Sequence, residues 1–259
     1  MSTFKMILSI ALVSIALGAC QSPDISFPAA KLYPADDDTS KVFASYLAPA
    51  GSGPFPGVVL LHTCEGLKPH VTDEWPNYLT GLGYAVLTVD TYGSHGYSSC
   101  DLADYDAVRE DFVKDAYGAL NYFARRPEVD GNRVALMGFS LSANTINRIL
   151  PIHPYVSLSK RQNFKAAIAV YGSCPVDIRV VIPYLQIIPE HDGWAHTCIK
   201  LAKFNPLVEA KILPDAYPGF DDITVRGPDN TGIQMQFSSA ATDQARNIIK
   251  AFLAQNLGN

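Results

Sequence analysis

Arg133-Val134-Ala135-Leu136-Met137-Gly138-Phe139-Ser140-Leu141-Ser142 is the stretch that decides the fold. Its first half is a short apolar run, as expected of a strand buried on both faces. The run leads without a spacer into small residues and then into a helical pattern. A strand that passes so abruptly into a helix needs small side chains two places either side of the corner, where the two elements approach closely. Gly138 and Ser142 hold those places, and Ser140 stands at the corner. The pattern is G-x-S-x-S, one substitution from the G-x-S-x-G of a nucleophile elbow. The alternative is a serine that only caps the following helix, a task needing one oxygen.

Outward from this corner the chain repeats the same grammar. Val58 to His62, after Pro56-Gly57, Tyr84 to Asp90, Phe164 to Tyr171 and Tyr184 to Ile188 are further buried-strand runs, and Val208 to Leu213 is a weaker one. Between them, Tyr105, Val108, Phe112, Ala116, Ala119 and Phe123 recur at spacings of three and four, which predicts a helix closed by Pro127. Ala245, Ile248, Ile249, Phe252, Leu253 and Leu257 predict another at the C-terminus. Strand alternating with helix implies right-handed crossovers and a mostly parallel central sheet flanked by helices. The expected fold class is α/β, as one domain over residues 41–259.

The chain has 259 residues, 48% of them apolar and 17% charged, which is a globular composition able to bury a sizeable core. Its net charge of −5 offers no basic face for phosphate backbones, so nucleic acid is not an expected partner. Lys5 precedes an uncharged stretch from Met6 to Ala19. Fourteen helical residues rise only about 21 Å, short of a roughly 30 Å hydrocarbon core, so the stretch reads as a secretory signal over residues 1–19. It ends in Leu17-Gly18-Ala19-Cys20, which resembles the lipobox of bacterial lipoproteins, where the cysteine is acylated after cleavage. The alternative is an ordinary signal in which Cys20 is incidental. Gln21 after the cysteine points to the periplasmic face of the outer membrane, with the membrane touched only through the lipid. Residues 20–40, polar and Pro-containing with three consecutive Asp, read as a tether. The four remaining cysteines, Cys64, Cys100, Cys174 and Cys198, favour disulfides in an exported chain. Neither a C-x-x-C nor a Cys/His cluster at zinc spacing is present, so no metal and no cofactor are expected.

Several segments together resemble the dienelactone hydrolase family of α/β-hydrolases. Pro56 to Leu67 (PGVVLLHTCEGL) is similar to that family's strand and oxyanion loop, and Gly83-Tyr84-Ala85 through Asp90-Thr91-Tyr92-Gly93 to its next strand and active-site loop. Gly138 to Ser142 is similar to its elbow, although founding members carry cysteine where Ser140 stands. Glu190-His191-Asp192-Gly193-Trp194 resembles the segment bearing the triad acid, and Tyr217-Pro218-Gly219-Phe220-Asp221 the start of the segment bearing the catalytic histidine. The resemblance implies an α/β-hydrolase fold and hydrolysis of small carboxylic esters or lactones by serine nucleophilic catalysis. It also implies disulfide pairs Cys64–Cys100 and Cys174–Cys198. Ser140 would attack the carbonyl, with the amides of Leu141 and Cys64 stabilising the oxyanion and Asp192 orienting a histidine. The alternative for Asp192 is a surface turn residue beside Gly193.

The chain departs from the pattern at one place. After Tyr217-Pro218-Gly219 it reads Phe220-Asp221-Asp222-Ile223, and no histidine follows His196. Either Asp222 occupies the histidine's place or a short deletion has removed it. A carboxylate is a poor base for a hydroxyl, and loss of the histidine alone costs a serine hydrolase about 10⁶ in turnover. Of the histidines, His62 closes a strand and reads as structural. His191 neighbours Asp192, so in extended chain the two point opposite ways. His95, where many family members carry an arginine lining the cleft, is the expected replacement base or substrate contact, with His196 next. His70 and His153 lie in Pro-flanked loops and suggest nothing. Two functions therefore follow from the sequence: a lipid-anchored envelope hydrolase using Ser140, Asp192 and a relocated base, or a degenerate hydrolase acting as an envelope binding or assembly factor.

Overall fold

The computed structural model describes residues 25–33, 35–98, 105–150, 163–175, 177–229 and 232–258. Cys20 and the rest of the expected signal lie outside these residues, as do Cys100 and His153. Eight strands form a single sheet: β1 (Ile25–Pro28), β2 (Lys41–Leu47), β3 (Phe55–Leu61), β4 (Ala85–Asp90), β5 (Val129–Phe139), β6 (Ala166–Val170), β7 (Tyr184–Pro189) and β8 (Val208–Leu213). Their order is β1-β2-β4-β3-β5-β6-β7-β8, with β1 and β2 antiparallel and the others parallel.

The central strands are apolar throughout because both of their faces are covered. On β3, Val59 and Leu61 face one core and Val58 and Leu60 the other. The first core receives α3 (Tyr105–Phe123), α4 (Leu141–Ile149) and α5 (Ala195–Phe204). The second receives α1 (Trp75–Gly81), which follows a π-helical turn at His70–Glu74, and α6 (Ser239–Leu257). A further short helix, α2 (Thr91–His95), follows β4. The weak signal over Val208–Leu213 has a simple cause: β8 is an edge strand, and its middle residues are partly exposed. Among the described residues no helix is long and apolar enough to cross a membrane.

The expectation of a tether over residues 20–40 differs from what the fold shows. Ile25–Pro28 pairs with β2 as an edge strand, from Ile25 opposite Ala44 to Pro28 opposite Lys41. The acidic run that follows folds back on α3. Asp36 is buried, accepts the N–H groups of Leu32 and Asp38 at 3.0 and 3.1 Å, and lies 3.5 Å from Lys114 Nζ. Asp38 approaches the same ammonium at 3.3 Å. Consecutive carboxylates read as solvated chain because their cation lies far away in sequence.

Candidate active site

Ser140 joins β5 to α4 with φ 52° and ψ −111°. A non-glycine residue rarely enters this region, and such strain gathers at functional sites. The sequence around it makes the corner possible. A Cβ on Gly138 would lie 2.8 Å from Ser142 Oγ and 2.9 Å from the Ser142 carbonyl carbon, so only glycine lets the helix approach the strand. Gly172, beyond β6, serves in the same way: a Cβ there would meet that of Ala143 at 2.6 Å. Ser142 is fully buried, and its hydroxyl accepts the Phe139 N–H at 2.8 Å and donates to the Leu61 carbonyl at 2.9 Å. Ser140 sits at the N-cap of α4 but its side chain caps nothing. Its half-buried hydroxyl is therefore not spent on the helix. Leu141, the first residue of α4, carries an N–H without an intrahelical acceptor, as any first-turn residue does.

The loop after β3 begins beside this corner, since Leu61 is registered with Gly138. His62 holds the loop from within. Its Nδ1 lies 2.8 Å from the Thr63 carbonyl and its Nε2 accepts the Tyr92 N–H at 3.4 Å, which fixes the Nδ1–H tautomer. Burial lowers its pKa to about 4, so the ring is neutral. The Thr63 carbonyl held by His62 belongs to the same peptide as the Cys64 N–H expected in the oxyanion hole, and the Tyr92 hydroxyl donates to the next carbonyl, that of Cys64, at 3.0 Å.

Asp192 lies just past β7, in a turn closed by its own N–H to the Pro189 carbonyl. Its carboxylate accepts the Trp194 N–H at 3.3 Å, and burial pushes its pKa up to about 6 against that one bond. Among the described residues no histidine pairs with it. His191 is exposed and stacks on Tyr217 at 4.3 Å between ring centroids, and His196 is exposed on α5.

His95 is engaged elsewhere. Its Nε2 lies 3.1 Å from Asp115 Oδ1 and its Nδ1 3.6 Å from Asp111 Oδ2, both on α3. Burial would lower its pKa, but the hydrogen bond to Asp115 and the charges of Asp115 and Asp111 together raise it. The ring expected to serve Ser140 thus ties α2 to α3, with Nε2 bonded to Asp115 and Nδ1 facing Asp111.

The segment after β8, where the histidine is missing, is held by two buried carboxylates. Asp221 accepts Trp75 Nε1–H at 2.7 Å and the Tyr171 hydroxyl at 2.8 Å. Tyr171, immediately after β6, has φ 42°, a second strained corner beside the first. Burial, then the charge of Asp221, raises its pKa well above the usual phenol value, so it remains the donor. Asp222 accepts the Thr224 N–H and hydroxyl at 2.8 and 2.6 Å through Oδ1, and its Oδ2 lies 3.5 Å from His70 Nδ1. His70 is 1% exposed and packs edge-on against Phe139, the residue before Ser140, at 5.5 Å. Sequence reading passed over His70 because its carboxylate partner comes from the far end of the chain. The only available signal was the histidine deficit itself, which calls for compensation somewhere.

Cys174 and Cys198 form a disulfide with Cα atoms 4.9 Å apart, one of the two expected pairs. The other involves Cys100, outside the described residues. Among the described residues no three or more His, Cys, Asp or Glu side chains gather as a metal site.

Comparison with known proteins fits this geometry. Esterase FrsA of Klebsiella pneumoniae (strain 342) is 33% identical over 106 residues, 41% of this chain and 24% of that protein. The peroxisomal succinyl-coenzyme A thioesterase of Mus musculus is 24% identical over 133 residues, 51% of this chain and 27% of that one. The chain thus spans about a quarter of the length of these curated relatives. In fold, it is similar to a dienelactone hydrolase-like promiscuous phosphotriesterase from metagenomic libraries, with TM-score 0.69 and 19% identity over 93% of this chain and 100% of that one. An esterase of Pyrococcus furiosus gives TM-score 0.60 and 14% identity over 93% and 94%. The model of the dienelactone hydrolase family matches residues 43–192, from β2 past the elbow to Asp192, and stops short of the altered segment after β8. Since that match takes in more than half of the chain and the turn bearing Ser140, the chain belongs to the dienelactone hydrolase family.

Proposed function

We propose that this protein hydrolyses small carboxylic esters or lactones through an acyl-enzyme on Ser140. The observation that carries the reading is the strained Ser140 backbone with a hydroxyl that caps nothing. A helix cap needs neither the positive φ nor the close approach that Gly138 and Gly172 permit. Ser140 Oγ attacks the carbonyl carbon, and the N–H groups of Leu141 and Cys64 receive the developing oxyanion. Family membership and the likeness to esterase FrsA support an ester as substrate. Export and lipid anchoring through Cys20 belong to the same reading. The Cys174–Cys198 disulfide supports an oxidising compartment.

A second reading, a binding protein that has kept the fold and lost the chemistry, is favoured by one observation: Asp192 has no histidine partner among the described residues. Purified residues 21–259 separate the two readings. Hydrolysis of p-nitrophenyl acetate and labelling by a fluorophosphonate, both abolished in Ser140→Ala, are expected of the hydrolase. Equal slow rates in the two proteins would leave only the binder.

A further inference from the structure

Serine catalysis needs a proton acceptor, and the segment after β8, where the family keeps one, holds no histidine in this chain. Four described histidines are accounted for: His62 bonds the Thr63 carbonyl and the Tyr92 N–H, His95 faces two carboxylates, and His191 and His196 are exposed and unpaired with acid. His70 is different. It is buried, yet neither ring nitrogen has a hydrogen-bond partner. An unpartnered buried imidazole is costly, so a molecule keeps one where something arriving later will complete it. Its Nδ1 side is turned to Asp222, itself 3% exposed and held by Thr224. One flank of the ring rests on Phe139.

We propose that the base has moved: His70, which opens the turn before α1 and packs on the residue preceding Ser140, accepts the proton of Ser140, and Asp222, from the segment after β8, positions His70. Asp222 opposite Nδ1 favours the Nδ1–H tautomer, which leaves the Nε2 lone pair as acceptor. As Ser140 Oγ bonds to the ester carbonyl carbon, its proton passes to Nε2 and the carbonyl π electrons move to oxygen. Collapse of that oxyanion breaks the bond to the leaving alkoxide, which takes the proton back from Nε2. Water then attacks the acyl-enzyme, giving a proton to Nε2, and the same proton returns to Ser140 Oγ as the carboxylic acid leaves. His70 ends as it began. The 3.5 Å between Asp222 Oδ2 and Nδ1 is long for a hydrogen bond, as catalytic contacts often are in a free enzyme.

This inference rests on the Ser140 reading, and the experiment separates the two. Hydrolysis of p-nitrophenyl acetate is measured for the wild type, Ser140→Ala, His70→Asn, His70→Ala with and without added imidazole, and Asp222→Asn, with circular dichroism confirming the fold. His70→Asn is expected to lower kcat by up to about 10⁶-fold with KM little changed. Imidazole is expected to restore part of the rate in His70→Ala and none in Ser140→Ala. Asp222→Asn, which keeps an oxygen for Thr224 and removes the charge facing Nδ1, is expected to lose up to about 10⁴-fold by analogy with the loss of a triad acid, even if the His70 variants fail to fold. A folded His70→Asn or an Asp222→Asn enzyme within tenfold of wild-type kcat would overturn the assignment while leaving Ser140 in place. An unchanged Ser140→Ala would instead overturn the serine reading.

Discussion

Ser142 donates its hydroxyl proton to the carbonyl of Leu61, tying the helical side of the Ser140 corner to the end of the neighbouring strand. The same oxygen accepts the N–H of Phe139. Where the family has glycine at this place, this chain has a residue that adds two hydrogen bonds without opening the turn. Ser142→Ala leaves a buried carbonyl and a buried amide without partners, and is expected to cost about 1–3 kcal/mol of stability. Urea unfolding reads this as a lower midpoint at constant slope. A midpoint equal to wild type would mean that the two backbone groups find other partners.

His95→Asn tests the anchoring of α2. Asp115 is fully buried and its main cation is His95, so removing the imidazole strands a carboxylate in the core between α2 and α3. The expected loss is about 3 kcal/mol or more, as for other broken buried pairs. The folded fraction should still label at Ser140 with a fluorophosphonate at the wild-type rate. A thousandfold slower labelling of folded His95→Asn would instead make His95 the base.

Much of this molecule was legible from local pattern, and the exceptions share a cause. The strands β3 to β7 announce themselves because burial on both faces forces unbroken apolar runs, and the elbow because the close approach leaves room only for glycine at Gly138. Asp36 and Asp38 read as solvated linker because Lys114, which neutralises them, lies on a distant helix. His70 read as an idle loop residue because Asp222, which faces it at 3.5 Å, comes from the other end of the sequence. Periodicity reports what a residue needs from its own element. It is silent on pairs of polar groups that find each other only after the sheet has formed.

One ammonium neutralises the acidic run that follows β1. Lys114 Nζ serves Asp36, Asp38 and Glu110 at 3.3–3.5 Å, and Lys114→Met keeps its apolar stem while removing the charge. The pairs lie between the exposed and the buried extremes, so about 1–3 kcal/mol is expected. Hydrogen exchange should show the gain in amide exposure concentrated at Leu32 and Asp38, whose N–H groups bond to Asp36. Faster exchange spread evenly over the sheet would contradict a local role.

The Cys174–Cys198 disulfide closes a loop with a sequence separation of 24, enclosing β7 and Asp192. On the chain-entropy account a loop of this length stabilises by about 3 kcal/mol. Replacing both cysteines by serine should lower the thermal midpoint by several degrees, and a reductant should do the same to the wild type but not to the double variant. A double variant as stable as wild type would show that packing alone holds α5 to β6.

Asp192 gives the molecule a pH dependence opposite to that of an ion-paired carboxylate. Burial raises its pKa from 3.8 to about 6, so the folded chain holds this proton after the unfolded chain has released it. Between about pH 4 and about pH 6 stability therefore falls as pH rises, because the native state binds more protons there. Below that window both states are protonated and the penalty vanishes; above it both are ionised and the penalty is constant. Asp192→Asn cannot ionise, yet keeps an oxygen for the Trp194 N–H. The variant and the wild type should thus share a urea midpoint near the lower limit, diverge across the window in favour of the variant, and keep a fixed gap above it. A gap of the same size at both limits would mean that the Asp192 carboxyl is hydrated in the folded protein, and with it would go the view of this site as a desolvated pocket.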